Sequence, residues 1–211
     1  MTRPPIRFHR AALSGHCHRV ELLLRMLALP YEAVDVDIVA GELRQPAFLR
    51  LNRFAQVPVI EDGAVVVADS NAILTYLATR YDAASTWLPR DAIGAARVQR
   101  WLSAAAGPVA YGPGRARLVH VFGAPGDAAP AIAHAHAFLR VFDAEVASHD
   151  FLAADHATIA DLACYAYIAH APEGLVALDD YPHVRGWLAR VEALPRFAPM
   201  PRAPAPTRVA A

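Results

Sequence analysis

The segment from residue 13 to residue 19 reads LSGHCHR and leads into an apolar helical stripe. A hydroxyl group and the free backbone N–H groups at a helix start both favour an anion over a neutral thiol. Ser14 could therefore stabilise a thiolate that a substrate brings, without attacking anything itself. A simpler interpretation is that Ser14 only shapes the loop or caps the helix. Residue chemistry alone favours that simpler interpretation.

Cys17 offers a competing chemistry in the same segment. A cysteine near a helix N-terminus can have a lowered thiol pKa and can form mixed disulfides. No Cys-x-x-Cys partner accompanies Cys17, and a cysteine of this kind is often simply buried. The second cysteine, Cys164, lies in an apolar helical stretch and is expected in the core.

Histidines form two His-x-His pairs, His16 with His18 and His134 with His136. Such a pair could hold a metal ion, but no third or fourth ligand follows at a suitable spacing. Residues i and i+2 of a helix also point apart. We therefore expect surface or loop histidines and no metal site. His16 is still a candidate for the mouth of a pocket.

A further chemical feature runs from Gln56 to Asn71. Pro58 cannot donate a ladder hydrogen bond, so a proline that starts a strand implies an edge or an open backbone position. The Asp69-Ser70 step supplies N-cap residues for a helix. Backbone N–H groups at a helix start are a natural seat for a carboxylate.

The elements that must position these residues follow a βαβ-αββα order over residues 1–82. This order predicts a thioredoxin-like domain whose first two strands are parallel, because a helix connects them. Residues 41–54 are expected to be irregular or weakly helical, and Asp62-Gly63 is a hairpin turn signal. The predicted strands are Ile6 to Phe8, Tyr31 to Val39, Val57 to Ile60 and Ala64 to Ala68. The predicted helices are Val20 to Leu29 and residues 70–80.

From residue 90 to residue 211 the pattern is helical throughout, after a linker at 81–89. Gly107-Pro108 and the GPG sequence at 112–114 are expected to kink or end a helix. Thr158 and Asp161 have the spacing of a capping box. The Pro- and Ala-rich tail from Pro195 is expected to lie along the surface or fray. The predicted fold class is α/β plus all-α, with a helical-bundle domain after the thioredoxin-like one.

The composition excludes several classes of function. All 20 basic residues are arginine, so no lysine can serve as a P-loop residue, a Schiff base or a general base. The formal net charge is zero, which gives no electrostatic case for nucleic acid or an anionic membrane. Two cysteines are too few for a disulfide framework, which favours a reducing compartment. The first residues lack the apolar region of a signal peptide. We expect a cytoplasmic protein.

The chain resembles the glutathione S-transferase family of the serine type in two motifs. One is the Val57-Pro58 step followed by Asp69-Ser70. The other is a serine followed by a short loop and an Arg-Val pair. The resemblance covers nearly the whole chain. It implies a cis proline at Pro58, with the Val57 backbone offered to the peptide of glutathione. It implies that Asp69 and Ser70 hold the γ-glutamyl end. The resemblance also implies that Ser14 is more than a loop or cap residue. It implies that Ser14 is the catalytic residue, which stabilises the glutathione thiolate.

The resemblance implies further contacts at the same site. Arg44 and Gln56 are candidates for the glycine carboxylate of glutathione, since arginine presents a bidentate fork to a carboxylate. Leu43 stands where relatives often carry a polar group. Tyr111 is the candidate among the helical-domain aromatics for an apolar electrophile pocket, because its Gly-Pro neighbours disrupt the helix.

The implied function is a glutathione S-transferase, with glutathione as co-substrate and a hydrophobic electrophile bound between the domains, in a homodimer that serves detoxification. Two alternatives stay open. One is a glutathione-dependent disulfide or peroxide reductase or an isomerase, because one activated thiolate serves all these reactions. The other is a non-catalytic, transferase-like interaction module.

Overall fold

The computed structural model describes residues 4–203, and its first half contains one four-stranded mixed sheet. The strands are β1 (Ile6–Arg10), β2 (Tyr31–Asp35), β3 (Val59–Asp62) and β4 (Val65–Ala68). They lie in the order β2-β1-β3-β4. The β1–β2 pair is parallel, as the helical crossover predicts, and the other two pairs are antiparallel. Because β1 is an inner strand, the loop that follows it begins in the middle of one end of the sheet.

Three helices cover the sheet: α1 (Gly15–Met26), α2 (Pro46–Leu51) and α3 (Ser70–Tyr81). Successive strand residues point to opposite faces, and the burial follows this alternation. Phe8 and Ile60 belong to the large core with α1 and α3. Val59 belongs instead to a small cluster with Phe48 of α2. The element order is therefore the predicted βαβ-αββα.

Several predicted boundaries in this half were wrong, and the largest differences are at the start of α1 and the end of β2. Helix α1 begins at Gly15 rather than Val20, because the Ser14 side chain accepts the Cys17 N–H and starts the helix early. Strand β2 ends at Asp35 rather than Val39. The Asp37 carboxylate accepts the Ala40 N–H at 2.8 Å and turns the chain away from the sheet. Val39 is consequently 99% exposed.

The second half is built from helices. They are α4 (Ala92–Ala106), α5 (Arg115–Phe122), α6 (Ala129–Val146), α7 (Ile159–Ala169) and α8 (Pro182–Glu192). Helix α7 packs against α1, α3, α4 and α8 and is buried over nearly its whole length. This helix therefore joins the sheet-containing half to the helical half.

The predicted helix break after α4 is confirmed. Helix α4 ends before Gly107, and a π-helical turn at Ala110–Gly114 leads into α5. Gly112 faces α6, where a Cβ atom on it would lie 3.0 Å from the Cα of Ala135. Only glycine permits the two backbones to approach this closely.

The capping box that starts α7 is also confirmed. The Thr158 hydroxyl accepts the Ala160 N–H, and the Asp161 carboxylate accepts the Thr158 N–H at 2.9 Å. Asp161 is fully buried and also accepts hydrogen bonds from the Leu152 N–H and the Trp187 indole, both at 3.0 Å. One carboxylate thus joins the α7 start to α8 and to the preceding loop.

The chain after α8 returns to α1. The Ala198 carbonyl oxygen lies 2.8 Å from Nε2 of His18, and Met200 is buried. The prediction that the tail lies along the surface is confirmed up to residue 203. The remainder of that prediction concerns residues outside the described range.

No helix within residues 4–203 combines the length and the apolar character that crossing a bilayer requires.

Lowering the pH from 7 to 5 is expected to destabilise the fold through His18 and His16. Burial lowers the pKa of His18 to about 4 and that of His16 to about 3. Between these values and about 6.5 the unfolded chain binds protons that the folded chain does not, so unfolding is favoured as the pH falls. Each histidine should cost about 1–2 kcal/mol of unfolding free energy over this range, measured by urea denaturation.

The variant His18→Gln should lose its share of this pH dependence. The matched control is His134→Gln, since His134 lies exposed on α6. A control that loses as much pH dependence as His18→Gln would contradict the assignment to the buried ring.

Candidate functional site

Ser14 is the N-cap residue of α1, in the loop that follows the central strand. Its Oγ accepts the Cys17 N–H at 3.3 Å. Because the oxygen is the acceptor in this contact, the hydroxyl proton stays available to a second partner. The half-buried Ser14 side chain can therefore cap the helix and donate to an anion at the same time.

The Asp69-Ser70 corner at the start of α3 meets the Ser14 loop. Ser70 Oγ lies 3.1 Å from Nδ1 of His16 and accepts from Nη1 of Arg19 at 3.3 Å. Both His16 and Arg19 belong to the helix that Ser14 caps. The sequence-predicted seat for a carboxylate and the predicted catalytic serine are thus neighbours in the fold.

The α3 start has fewer free backbone N–H groups than the sequence predicts, because its own cap uses two of them. The Asp69 carboxylate itself caps α3 and accepts the N–H groups of Asn71 and Ala72, each at 2.9 Å. The Ser70 N–H and hydroxyl lie outside this cap. Asp69 makes the cap from a backbone φ of 76°, a conformation that residues with a side chain rarely adopt. Such strain at a polar corner is typical of a binding site.

His16 is held as a neutral ring. Burial, followed by the nearby Arg19 charge, lowers the pKa of His16 to about 3. The ring packs edge-on against Tyr167 of α7, with centroids 5.1 Å apart. The half-buried His16 ring therefore lies between the Ser70 hydroxyl and the Tyr167 ring of the helical half.

Cys17 is poorly placed to supply a thiolate of its own. Its side chain is 2% exposed, and burial raises the pKa of its thiol to about 11. Its Sγ lies 3.4 Å from the Ala11 backbone nitrogen. These features favour Ser14 over Cys17 as the residue beside a substrate sulfur. Cys164 is completely buried in α7, so the prediction that it is a core residue is confirmed.

The Val57–Pro58 peptide bond is cis, as the resemblance implies. The adjoining Gln56 carbonyl oxygen accepts a hydrogen bond from Nδ2 of Asn52 at 2.8 Å, which fixes the entry to β3. The Gln56 side chain is exposed at this loop. Arg44 is also exposed, in a single 3-10 turn at Glu42–Arg44. Both side chains are therefore accessible to a ligand.

The predicted pocket residue Tyr111 is 69% exposed, on the π-helical turn. That turn packs against Tyr167, whose ring carbon Cγ would lie 3.4 Å from a Cβ on Gly114. The same ring covers Gly15, where a Cβ would lie 2.9 Å from Cε1. One aromatic ring therefore separates the Tyr111 turn from the residue next to Ser14.

The His-x-His pairs do not assemble into a cluster. His134 is exposed, and Nδ1 of His136 lies 2.8 Å from the Tyr181 hydroxyl. Within residues 4–203 the structure contains no group of three or more His, Cys, Asp or Glu side chains that could hold a metal ion.

A buried ion pair from the helical half holds the Ser14 loop, and sequence reasoning missed it. Arg117 of α5 donates to the Leu13 carbonyl oxygen at 2.8 Å and to Glu173 at 2.7 Å. Glu173 also lies 2.8 Å from Nδ1 of His170. Arg117 is 2% exposed, so the loop is fixed from inside the protein. Residues 104 positions apart in the chain offer no local signal for this contact.

Arg19 is a second buried arginine at this site for which the sequence predicted no role. It is completely buried and reaches both Ser70 and Asn71. A signal was present, because Arg19 stands four residues before Leu23 on the apolar stripe of α1. A charged residue on a core-facing stripe needs hydrogen-bond partners inside the protein, and Arg19 finds them in Ser70 and Asn71.

Comparison with known proteins agrees with this geometry. Residues 13–80 match the model of the glutathione S-transferase N-terminal domain, and residues 127–195 match that of the C-terminal domain. Glutathione S-transferase 3 of Zea mays is 33% identical over 222 residues, which cover 96% of this chain and 98% of that protein.

Solved structures confirm the predicted fold class. A possible glutathione S-transferase from Rhodopseudomonas palustris superimposes with a TM-score of 0.86 at 31% identity, covering 95% of this chain and 100% of its own. Ure2p in complex with glutathione shows the same fold, with a TM-score of 0.84 at 19% identity over 93% of this chain and 97% of that one. The sequence matches in both halves show that this chain belongs to the glutathione S-transferase family.

Proposed function

We propose that this family member is an active glutathione S-transferase. It binds glutathione on its sheet-containing half, keeps the sulfur as a thiolate beside Ser14, and directs that thiolate to a hydrophobic electrophile. Family membership agrees with glutathione as the co-substrate. The observation that supports the proposal most strongly is the 3.1 Å contact between Ser70 and His16, which brings the α3 corner to the loop that carries Ser14.

Each end of glutathione has a proposed partner. The Asp69 carboxylate and the Ser70 N–H and hydroxyl hold the γ-glutamyl group, which carries one positive and one negative charge. The Val57 backbone beside cis-Pro58 pairs with the cysteinyl peptide unit. Gln56 and the accessible Arg44 guanidinium hold the glycine carboxylate, for which an arginine fork is well suited.

The electrophile is proposed to bind on the side of the helical half. His16 lines the pocket mouth, because its ring lies between Ser70 and Tyr167. Tyr111 supplies an exposed aromatic surface one ring farther out. A thiolate that attacks apolar electrophiles fits a role in detoxification. The unpaired Cys17 and Cys164 fit the cytoplasm, where thiols stay reduced.

The direct test combines binding and turnover. Isothermal titration calorimetry should show one glutathione site per chain, and the protein should be retained on immobilised glutathione. Turnover is then followed with an activated aryl halide, with the uncatalysed rate subtracted. Absence of both binding and turnover would overturn the proposal in favour of the non-catalytic module.

The family resemblance further implies a homodimer, and exposed apolar side chains on the first half support it. Phe54 is 84% exposed between α2 and β3, and Val65 and Val66 of the edge strand β4 are each 45% exposed. We expect a mass of twice 22.8 kDa in sedimentation equilibrium. The variant Phe54→Ser should weaken the dimer at least about tenfold, because a large apolar contact is lost.

Val39→Ser is the matched control for the dimer, since Val39 is a 99% exposed apolar residue on the same half. It should leave the association unchanged. A monomeric wild-type protein, or equal weakening in both variants, would contradict the proposed interface.

A further inference from the structure

The peptide unit that precedes Ser14 is held at both ends. The Leu13 carbonyl oxygen accepts a hydrogen bond from Nη1 of Arg117 at 2.8 Å. The Ser14 N–H donates to the Ala11 carbonyl oxygen at 3.0 Å. Because a peptide unit is planar, hydrogen bonds on its two sides prevent its rotation and fix the φ of Ser14, which is −87°. The direction of the Ser14 Cα–Cβ bond therefore depends on Arg117.

The other contacts of Ser14 come from its own half of the protein. Its carbonyl oxygen accepts the His18 N–H at 2.9 Å, and its Oγ accepts the Cys17 N–H at 3.3 Å. Both partners belong to α1, whereas Arg117 belongs to α5 of the helical half. The helical half therefore contributes directly to the position of the Ser14 hydroxyl.

The Arg117 side chain is itself held rigidly inside the protein. It is buried, and its Nε donates to Glu173 at 2.7 Å. The Glu173 carboxylate lies 2.8 Å from Nδ1 of His170 and accepts the Ala203 N–H at 3.3 Å. The guanidinium thus reaches the Leu13 oxygen from a position that its other partner already fixes.

The charge of Arg117 is compensated within the protein. Glu173 is its carboxylate partner, so the pair adds little net field at a thiolate near Ser14. The effect of Arg117 on the site is consequently geometric and is carried by its hydrogen bond to Leu13. A displacement of about 1 Å at a reacting group can cost about 10²-fold in rate, so a small rotation of this peptide unit is sufficient to matter.

We propose that Arg117 is a positioning residue for the transferase reaction, which directs the Ser14 hydroxyl at the glutathione sulfur by fixing the Leu13–Ser14 peptide unit. The inference rests on the proposed function and deepens it. Arg117 touches no substrate atom, because its side chain is buried and its Nη1 and Nε bind protein groups. Thiolate formation on the first half thereby depends on the packing of the helical half against it.

The test is a double-mutant cycle between Arg117→Met and Ser14→Ala, with kcat measured for glutathione and an activated aryl halide. Arg117→Met should lower kcat about tenfold when Ser14 is present, because the hydroxyl is misdirected. It should lower kcat by less than about twofold when Ser14 is already alanine, because no hydroxyl remains to be directed. KM for glutathione should stay within about threefold, since other elements hold that ligand.

The thiol pKa of bound glutathione gives a second readout, from the ultraviolet absorbance of the thiolate against pH. It should rise in Arg117→Met and rise no further in the double variant. Arg117→Lys keeps the charge and a donor, and should recover part of kcat. Trp101→Phe is the matched control, because Trp101 Nε1 is also a buried donor to a loop carbonyl, that of Leu152 at 2.8 Å. It should leave kcat unchanged.

Equal losses of kcat from Arg117→Met in both backgrounds would overturn the inference. An unchanged thiol pKa in Arg117→Met, or an equal loss of kcat in Trp101→Phe, would do the same. A wild type that neither binds glutathione nor turns over the halide contradicts the proposed function instead, and that result is distinct from an active wild type in which the two losses add.

Circular dichroism melting checks that the variants fold, because Arg117→Met leaves the Glu173 carboxylate without its arginine. If Arg117→Met does not fold, the cycle is run with Glu173→Gln added, which removes the unpaired charge and keeps an acceptor. If that combination does not fold either, the arginine is required by the fold and the inference is overturned.

Discussion

Replacing Ser14 by alanine is expected to lower kcat for an activated aryl halide about a hundredfold or more. The Ser14 hydroxyl keeps its proton available because its oxygen accepts from the Cys17 N–H. Removing one hydrogen-bond donor that stabilises an anion typically lowers kcat by a factor of about 10² to 10³. The thiol pKa of bound glutathione should return toward the ordinary value of about 8.5, so the midpoint of the pH–rate profile should move upward.

The binding of S-methylglutathione should change little in Ser14→Ala, because that ligand has no thiolate to stabilise. Loss of the helix cap costs about 1 kcal/mol of stability, which a melting curve will show separately. Cys17→Ala is the matched control, and it should keep its activity within about threefold because the thiol is buried. Full activity in Ser14→Ala together with inactive Cys17→Ala would transfer the catalytic role to the cysteine.

Replacing Asp161 by alanine is expected to cost about 3–5 kcal/mol of unfolding free energy. The carboxylate accepts hydrogen bonds from the Thr158 N–H, the Leu152 N–H and the Trp187 indole, all inside the protein. The substitution leaves these buried donors without an acceptor, and each lost partner carries a desolvation penalty. The melting temperature of a chain of this size should fall by roughly 6–20 °C.

Asp91→Ala is the matched control for Asp161. Asp91 also caps a helix, accepting the N–H groups of Ile93 and Gly94, but it lies on the surface. Its replacement should cost only about 1 kcal/mol, the usual value for an N-cap. Equal losses in the two variants would show that burial of the Asp161 network adds nothing to ordinary capping.

Local patterns predicted most of the fold because each depends on residues close in the sequence. The capping box from Thr158 to Asp161 is three residues long, and the helix break at Gly107 follows from the chemistry of glycine and proline. The errors occurred where a side chain overrode periodicity. Asp37 turned the chain out of β2, and Ser14 started α1 before its apolar stripe began.

The site was predictable only in part. The sequence by itself indicated Ser14, cis-Pro58 and the Asp69-Ser70 corner, because their spacing resembles a family pattern. It did not indicate that the Asp69 carboxylate caps its own helix, a cap in which the Ser70 N–H and hydroxyl take no part. Whether a side chain caps a helix or faces a ligand depends on a rotamer and a backbone φ, and composition does not encode these.

The sequence alone determined the order of the elements, the absence of lysine chemistry and the family, since these follow from residue types and short spacings. Only the tertiary structure showed that Arg117 holds the Leu13 carbonyl and that Arg19 lies behind Ser70. These contacts join residues 104 and 51 positions apart. Tertiary packing decides them, as α1 packs against α3, and the stability of a buried charge depends on the partners that this packing supplies.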